Sequence, residues 1–157
     1  MHIKLILIGN TNEAFLKEGI AEYFQRIKKY NSIDIIEIKD IKNAKKISQD
    51  VLKKKEGHLI LQHVHSGDYV VLLDDKGKQY TSLLFADFVQ AKMNASIKQV
   101  IFIIGGAYGF SDEIYKLAKE KLSLSAMTFS HQLIRVVFLE QLYRAFSILN
   151  HSPYHHE

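Results

Sequence analysis

Apolar positions along the chain fall into two alternating rhythms. Short runs of β-branched and aromatic residues read as strands: Ile3 to Ile8, Ile33 to Ile38, Tyr69 to Leu73 and Val100 to Ile104, with a weaker fifth at Leu122 to Ala126. Between them, helical spacing predicts an amphipathic helix from about Glu13, burying Phe15, Leu16, Ile20, Tyr23, Phe24 and Ile27. A second runs from about Ser48 to Val64, a third from a Thr81 or Ser82 cap to Asn94, and a short one through Ile114, Leu117 and Ala118. The last segment, Gln132 to Leu149, contains no Gly or Pro. Its first half, Leu133 to Leu139, is apolar on nearly every side, so it requires cover all round. Strand and helix in alternation predict an α/β fold with a mostly parallel sheet flanked by helices.

Val100 to Ile104 shows no polar alternation, as expected of a strand covered on both faces. It runs into Gly105, Gly106 and Gly109, which permit positive φ and leave bare backbone for a ligand, and then into Ser111, Asp112 and Glu113, read as a helix N-cap with an acidic first turn. Leu73, closed by the turn Asp74 to Gly77, belongs to the same sheet edge as Gly105. Open α/β sheets bind ligands at that edge. The spacing G-G-x-x-G is neither a dinucleotide fingerprint nor a Walker loop, and the loop has no Lys or Arg. A phosphate cradle is disfavoured, while a ligandless turn and a ligand held through backbone groups both stay open.

The chain of 157 residues has the length of one domain. No cysteine is present, which removes disulfides, thiolate metal sites and a cysteine nucleophile, and no metal site is expected. Ile3 to Ile8 is too short to cross a membrane, and a cytoplasmic protein is expected. A net charge of +4 leans toward a polyanionic partner without requiring one. The lysines at 39, 42, 45, 46, 53, 54 and 55 read first as a solvated face, with an RNA-facing patch as the alternative. On the last helix His131 and Arg135 share one side, and Glu140 and Arg144 project away from them. One reading is an i,i+4 ion pair with His131 as a cap; the other is a helix lining a site on one side and a subunit interface on the other. The tail from Asn150 reads as frayed on position alone.

The segments I-I-G-G-A-Y-G-F (103–110), L-S-L-S-A-M-T-F-S-H-Q-L-I-R-V-V (122–137), E-Q-L-Y-R-A-F-S-I (140–148) and N-H-S-P-Y-H-H-E (150–157) occur in the order that characterises one family. Together they make the chain resemble the ribosomal RNA large subunit methyltransferase H family, of the SPOUT class, over its whole length. The resemblance implies a single SPOUT domain (1–157) whose C-terminal part forms a deep trefoil knot. It also implies a homodimer acting on the assembled ribosome, which transfers a methyl group from S-adenosylmethionine to N3 of a pseudouridine in 23S rRNA. The matching residues imply a cofactor pocket of Leu73, Gly105, Leu124, Ser125, Ala126, Met127, Thr128 and Phe129. They further imply that His131, Arg135, Glu140 and Arg144 position the base or order the knot, and that Tyr154 and His155 contact the pseudouridine. Two departures from the family pattern are Ser130, where relatives often carry proline, and His156, at an often basic tail position. The competing readings are an RNA-binding module without turnover and a phosphate-binding α/β protein.

Overall fold

A computed structural model describes residues 1–154; His155, expected at the substrate, and His156 lie outside the described residues. Five parallel strands form one sheet in the order β2-β1-β4-β3-β5: β1 His2–Ile8, β2 Ile33–Ile38, β3 Tyr69–Gln79, β4 Gln99–Ile104 and β5 Glu120–Ser123. The central strand is the unbroken apolar run. Its side chains alternate between two cores, Val100, Phe102 and Ile104 toward one and Ile101 and Ile103 toward the other.

The first core is covered by α1 (Ala14–Ile27), α3 (Ser82–Asn94) and α5 (Leu133–Leu149), with α5 packed against both others. Phe138 of α5 meets Phe102 at a centroid distance of 4.8 Å, so the apolar first half of α5 is anchored on the middle of the sheet. Where α5 crosses α1, Val136 sits 3.1 Å from the place a Cβ on Gly19 would occupy; a larger residue at 19 would push the two helices apart. The second core is roofed by α2 (Gln49–Leu61) and α4 (Asp112–Leu117), through Ile60 and Ile114. Among the described residues no helix is long and apolar enough to cross a membrane.

Ser48 and Thr81 cap α2 and α3 as their sequence positions imply, each accepting a hydrogen bond from the backbone N–H three residues on. Three expectations are corrected. The turn Asp74 to Gly77 does not end β3: it bulges out of the ladder, Leu73 and Lys78 both oppose Leu122, and the strand resumes to Gln79. Gly77 makes this possible, because a Cβ there would lie 2.6 Å from the backbone of Leu122. The fifth strand is Glu120–Ser123, ahead of the expected 122–126, since the apolar residues after Ser123 leave the ladder to form a loop. Ser111 occupies the N-cap of α4, yet its hydroxyl caps nothing; it is buried without a hydrogen-bond partner, pressed against Gly57.

Candidate functional site

All strands are parallel, so the loops that follow them emerge on one rim of the sheet. On that rim lies a cavity of about 570 Å³, bounded by the bulge of β3, the glycine loop after β4 and the loop after β5. Seven of the eight residues expected at a cofactor reach its wall: Leu73, Gly105, Leu124, Ser125, Met127, Thr128 and Phe129; Ala126 is exposed and does not line it. Leu73 pairs with Ile104 across the ladder, which brings it beside Gly105. The loop after β5 is shaped by its own serines: the Ser123 hydroxyl donates to the Ser125 carbonyl (3.0 Å), and the Ser125 hydroxyl accepts from the Met127 N–H (2.9 Å). Ser130, the departure from proline, accepts from the Leu133 N–H at 3.2 Å and so caps α5, the part expected of His131. The His131 side chain is exposed and lines the cavity instead.

Of the three loop glycines, only Gly109 has positive φ (75°). Gly105 and Gly106 are required by packing. The Phe110 ring stands 3.0 Å from a would-be Cβ on Gly105, and the Glu56 carboxylate of α2 stands 3.0 Å from one on Gly106. Burial, with the charge of Asp40 adding to it, pushes the Glu56 carboxyl up to about 7. The glycine loop is thus braced from behind and presents its front to the cavity.

The polar lining is acidic on balance. Asp74, Asp75 and Lys76 come from the bulge of β3, and there is no arginine. Asp74 Oδ2 accepts the Tyr115 hydroxyl at 2.6 Å, joining the bulge to α4, and burial together with that bond pushes the Tyr115 phenol up to about 12. Sequence reasoning does not single out Asp74, Asp75 or Tyr115. An acidic pair directly after a buried strand is the signal that could mark the first two.

Arg135 is fully buried, behind the cavity wall rather than in it. Its guanidinium donates to the Ile8 carbonyl (2.6 Å) and to Thr11 Oγ1 (2.7 Å), and its Nε donates to the His131 carbonyl (3.1 Å). Thr11 in turn donates to Glu37 at 2.6 Å, and Glu37 lies 3.9 Å from the guanidinium. Burial lowers the Arg135 pKa while Glu37 and Asp40 oppose the shift. Arg135 therefore pins the start of α5 to the ends of β1 and β2, a positioning role.

Glu140, Arg144 and Tyr154 form a separate cluster, away from this cavity within one chain. Arg144 pairs with Glu140 at 2.6 Å, as the i,i+4 spacing predicts. The tail as far as Tyr154 folds back onto α5. The Tyr154 hydroxyl donates to Glu140 at 3.1 Å, its ring meets Tyr143 at 4.6 Å, and Arg144 lies over it at 4.9 Å. Burial, contact with Tyr23 and the Glu140 charge all raise the Tyr154 pKa, so its phenol is protonated at neutral pH.

A family profile described as "Predicted SPOUT methyltransferase" matches residues 1–155. The chain belongs to the SPOUT methyltransferase family. Relatives named ribosomal RNA large subunit methyltransferase H align over their full lengths and over all of this chain: 51% identity in Parabacteroides distasonis, 50% in Flavobacterium psychrophilum and 49% in Bacteroides thetaiotaomicron. A Legionella pneumophila protein, Lpg2936, solved in complex with the cofactor SAM, is 16% identical with a TM-score of 0.49, over 92% of this chain and 66% of that one. For this SPOUT methyltransferase, then, the glycine loop, the β3 bulge and the loop after β5 are the walls of one cavity. The C-terminal helix and its lead-in supply both the buried pin, Arg135, and the exposed imidazole, His131.

Proposed function

We propose that this SPOUT methyltransferase transfers a methyl group from S-adenosylmethionine to N3 of a pseudouridine in 23S rRNA, acting as a single-domain homodimer on the assembled ribosome in the cytoplasm. The observation that carries the reading is full-length identity of about half to relatives named for rRNA large subunit methylation. The cavity supports it chemically. Its volume of about 570 Å³ suits a ligand of this size, and its two aspartates against one lysine favour a sulfonium and an ammonium over a triphosphate.

In this reading Leu73, Gly105 and the segment Leu124, Ser125, Ala126, Met127, Thr128 and Phe129 hold the cofactor, and the glycines let it lie against the main chain. When bound, S-adenosylmethionine supplies an electrophilic methyl group on a cationic sulfur. The protein's part is to exclude water and to aim the attacking nitrogen in line. His131, the only imidazole in the wall among the described residues, contacts the incoming base. Arg135 fixes the peptide that carries His131. Glu140, Arg144, Tyr154 and His155 meet the target nucleotide across the dimer axis.

Exposed apolar side chains support the dimer. Phe15, Leu83, Leu84 and Leu133 stand at the starts of α1, α3 and α5, and Met127 in the loop between β5 and α5 is 78% exposed. A two-fold contact would cover such a patch with itself. The knot is part of the same reading: the edge position of β5, followed by the return of α5 to the end of β1, is the path a threaded C-terminus would take.

Incubating the purified protein and S-adenosylmethionine with ribosomes that lack the modification, then mapping 23S rRNA by mass, tests the assignment. A mass gain of one CH2 at a single pseudouridine is expected. Unmodified rRNA with cofactor bound would leave an RNA-binding module instead. A chain ending at Asn150 should keep cofactor binding and lose methylation; undiminished turnover would remove the tail from the site.

A further inference from the structure

A second cleft, of about 420 Å³, lies beside the cofactor cavity and shares Asp74, Lys76 and Tyr115 with it. The Asp74–Tyr115 hydrogen bond is therefore a partition with a space on either side. The far wall is the start of β5, where Lys119 and Lys121 are exposed, and Lys76 overhangs from the bulge of β3.

The charges in this cleft are not equally committed. Asp74 accepts the Tyr115 hydroxyl and the Lys76 N–H. Glu120 accepts from Lys92 at 2.9 Å, from Tyr80 at 3.3 Å and from Tyr69, and these contacts hold its carboxyl ionised, below the usual range despite burial. Among the described residues Lys76, Lys119 and Lys121 enter no ion pair, and Lys121 lies over the Tyr115 ring at 5.8 Å. Three ammonium groups thus stand round a recess whose acidic groups already have donors. This arrangement attracts a diffuse anion and does not fit a cation. An aromatic edge at the partition adds a surface for a base or sugar.

We propose that this cleft holds a phosphodiester of the substrate RNA next to the methylated nucleotide, with Lys76, Lys119 and Lys121 as its partners; the proposal rests on the rRNA-methyltransferase reading above. The cleft lies just beyond the cofactor cavity, so a strand that delivers its base to the cavity carries its neighbouring backbone into reach of these lysines. The partition keeps that backbone charge away from the cofactor, whose own surroundings are acidic. Phosphate contacts of this kind set register and affinity and leave the chemical step alone.

The test is the double variant Lys119→Gln/Lys121→Gln, with Lys98→Gln as a control, since Lys98, just ahead of β4, lines neither the cleft nor the cofactor cavity. Three quantities are measured: the KM for ribosomes, sedimentation with ribosomes over a salt series, and calorimetric affinity for S-adenosylmethionine. The double variant should raise KM roughly 10-fold, leave kcat within about 2-fold and leave cofactor affinity unchanged. It should also flatten the log–log salt dependence of ribosome binding by about 1 for each phosphate that the lysines no longer neutralise. The control should match the wild type. If the wild type methylates rRNA and the double variant keeps both its KM and its salt slope, the cleft is not a phosphate site. A raised KM with an unchanged slope would assign the contact to a ribosomal protein and overturn the proposal equally. A wild type that neither binds nor methylates ribosomes would bring down the rRNA reading, and the proposal with it.

Discussion

The C-terminal helix carries two polar groups that solve opposite problems. Arg135 is fully buried, and its donors end on two main-chain carbonyls and a threonine hydroxyl supplied by two segments of the chain, the end of β1 and the lead-in to α5. The Glu140–Arg144–Tyr154 group is only partly covered and is held by neighbours on its own helix, by the tail as far as Tyr154 and by Tyr23 of α1. The first reads as a device that completes the fold of one chain. The second has what a surface needs if it is to meet another molecule. A position that looks catalytic in a motif thus separates, once placed in space, into positioning and contact.

The largest effect expected of this contrast is on folding. Arg135→Met should cost about 3–5 kcal/mol in urea denaturation, because it leaves Thr11 and the Ile8 carbonyl without their donor and Glu37 without the positive charge beside it. A loss under about 1 kcal/mol would dissolve the distinction. Arg144→Ala should cost only about 1 kcal/mol, since the pair is partly hydrated, while lowering methylation of ribosomes by about 10-fold or more in a methyl-transfer assay. Activity retained in full would make the cluster structural as well.

Glu56 sharpens the comparison from the far side of the glycine loop, as a half-buried carboxyl with no hydrogen-bond donor among the described residues. Its folded pKa, about 7, lies above its ordinary value, 4.5. The protonated form therefore suits the fold: the favourable contribution is complete below pH 4.5 and fades as pH rises through about 7. Glu56→Gln should leave thermal stability unchanged near pH 4.5 and raise it at about pH 8 by about 1 kcal/mol, a figure reduced for solvent screening. Equal melting temperatures at the higher pH would contradict this. Tyr154→Phe should have the smallest effect on stability, about 1 kcal/mol or less for one hydroxyl bonded to a carboxylate at a hydrated edge.

Much of this architecture is written locally. The apolar run of β4, the spacing of α1 and α3, and the caps Ser48 and Thr81 each depend on neighbours a few residues away, and each is found where the pattern places it, except that Phe15, expected in the core, is exposed at the start of α1. The boundaries of β3 and β5 depart from the pattern for one shared reason. The bulge at Asp74–Gly77 carries turn residues but rejoins the ladder, and Leu124 and Ala126 are apolar because they serve a cavity wall and its rim instead of the sheet. The site divides in the same way. Family motifs point to Leu73, Gly105 and the loop after β5, whereas the bond between Asp74 and Tyr115 and the reach of Arg135 to Thr11 join residues far apart in the chain, which no local pattern encodes. The glycines mislead in a further way, since Gly105 and Gly106 are fixed by Phe110 and Glu56 behind them and not by backbone conformation.

The rim cavity should receive the methyl donor against main chain, with no phosphate contact. A crystal structure of the protein grown with S-adenosylmethionine tests it most directly. The donor should lie between Gly105 and the loop from Leu124 to Phe129, with Leu73 beside it and Arg135 still bonded to Ile8 and Thr11. A donor bound elsewhere, or a cavity closed by those same loops, would contradict the account.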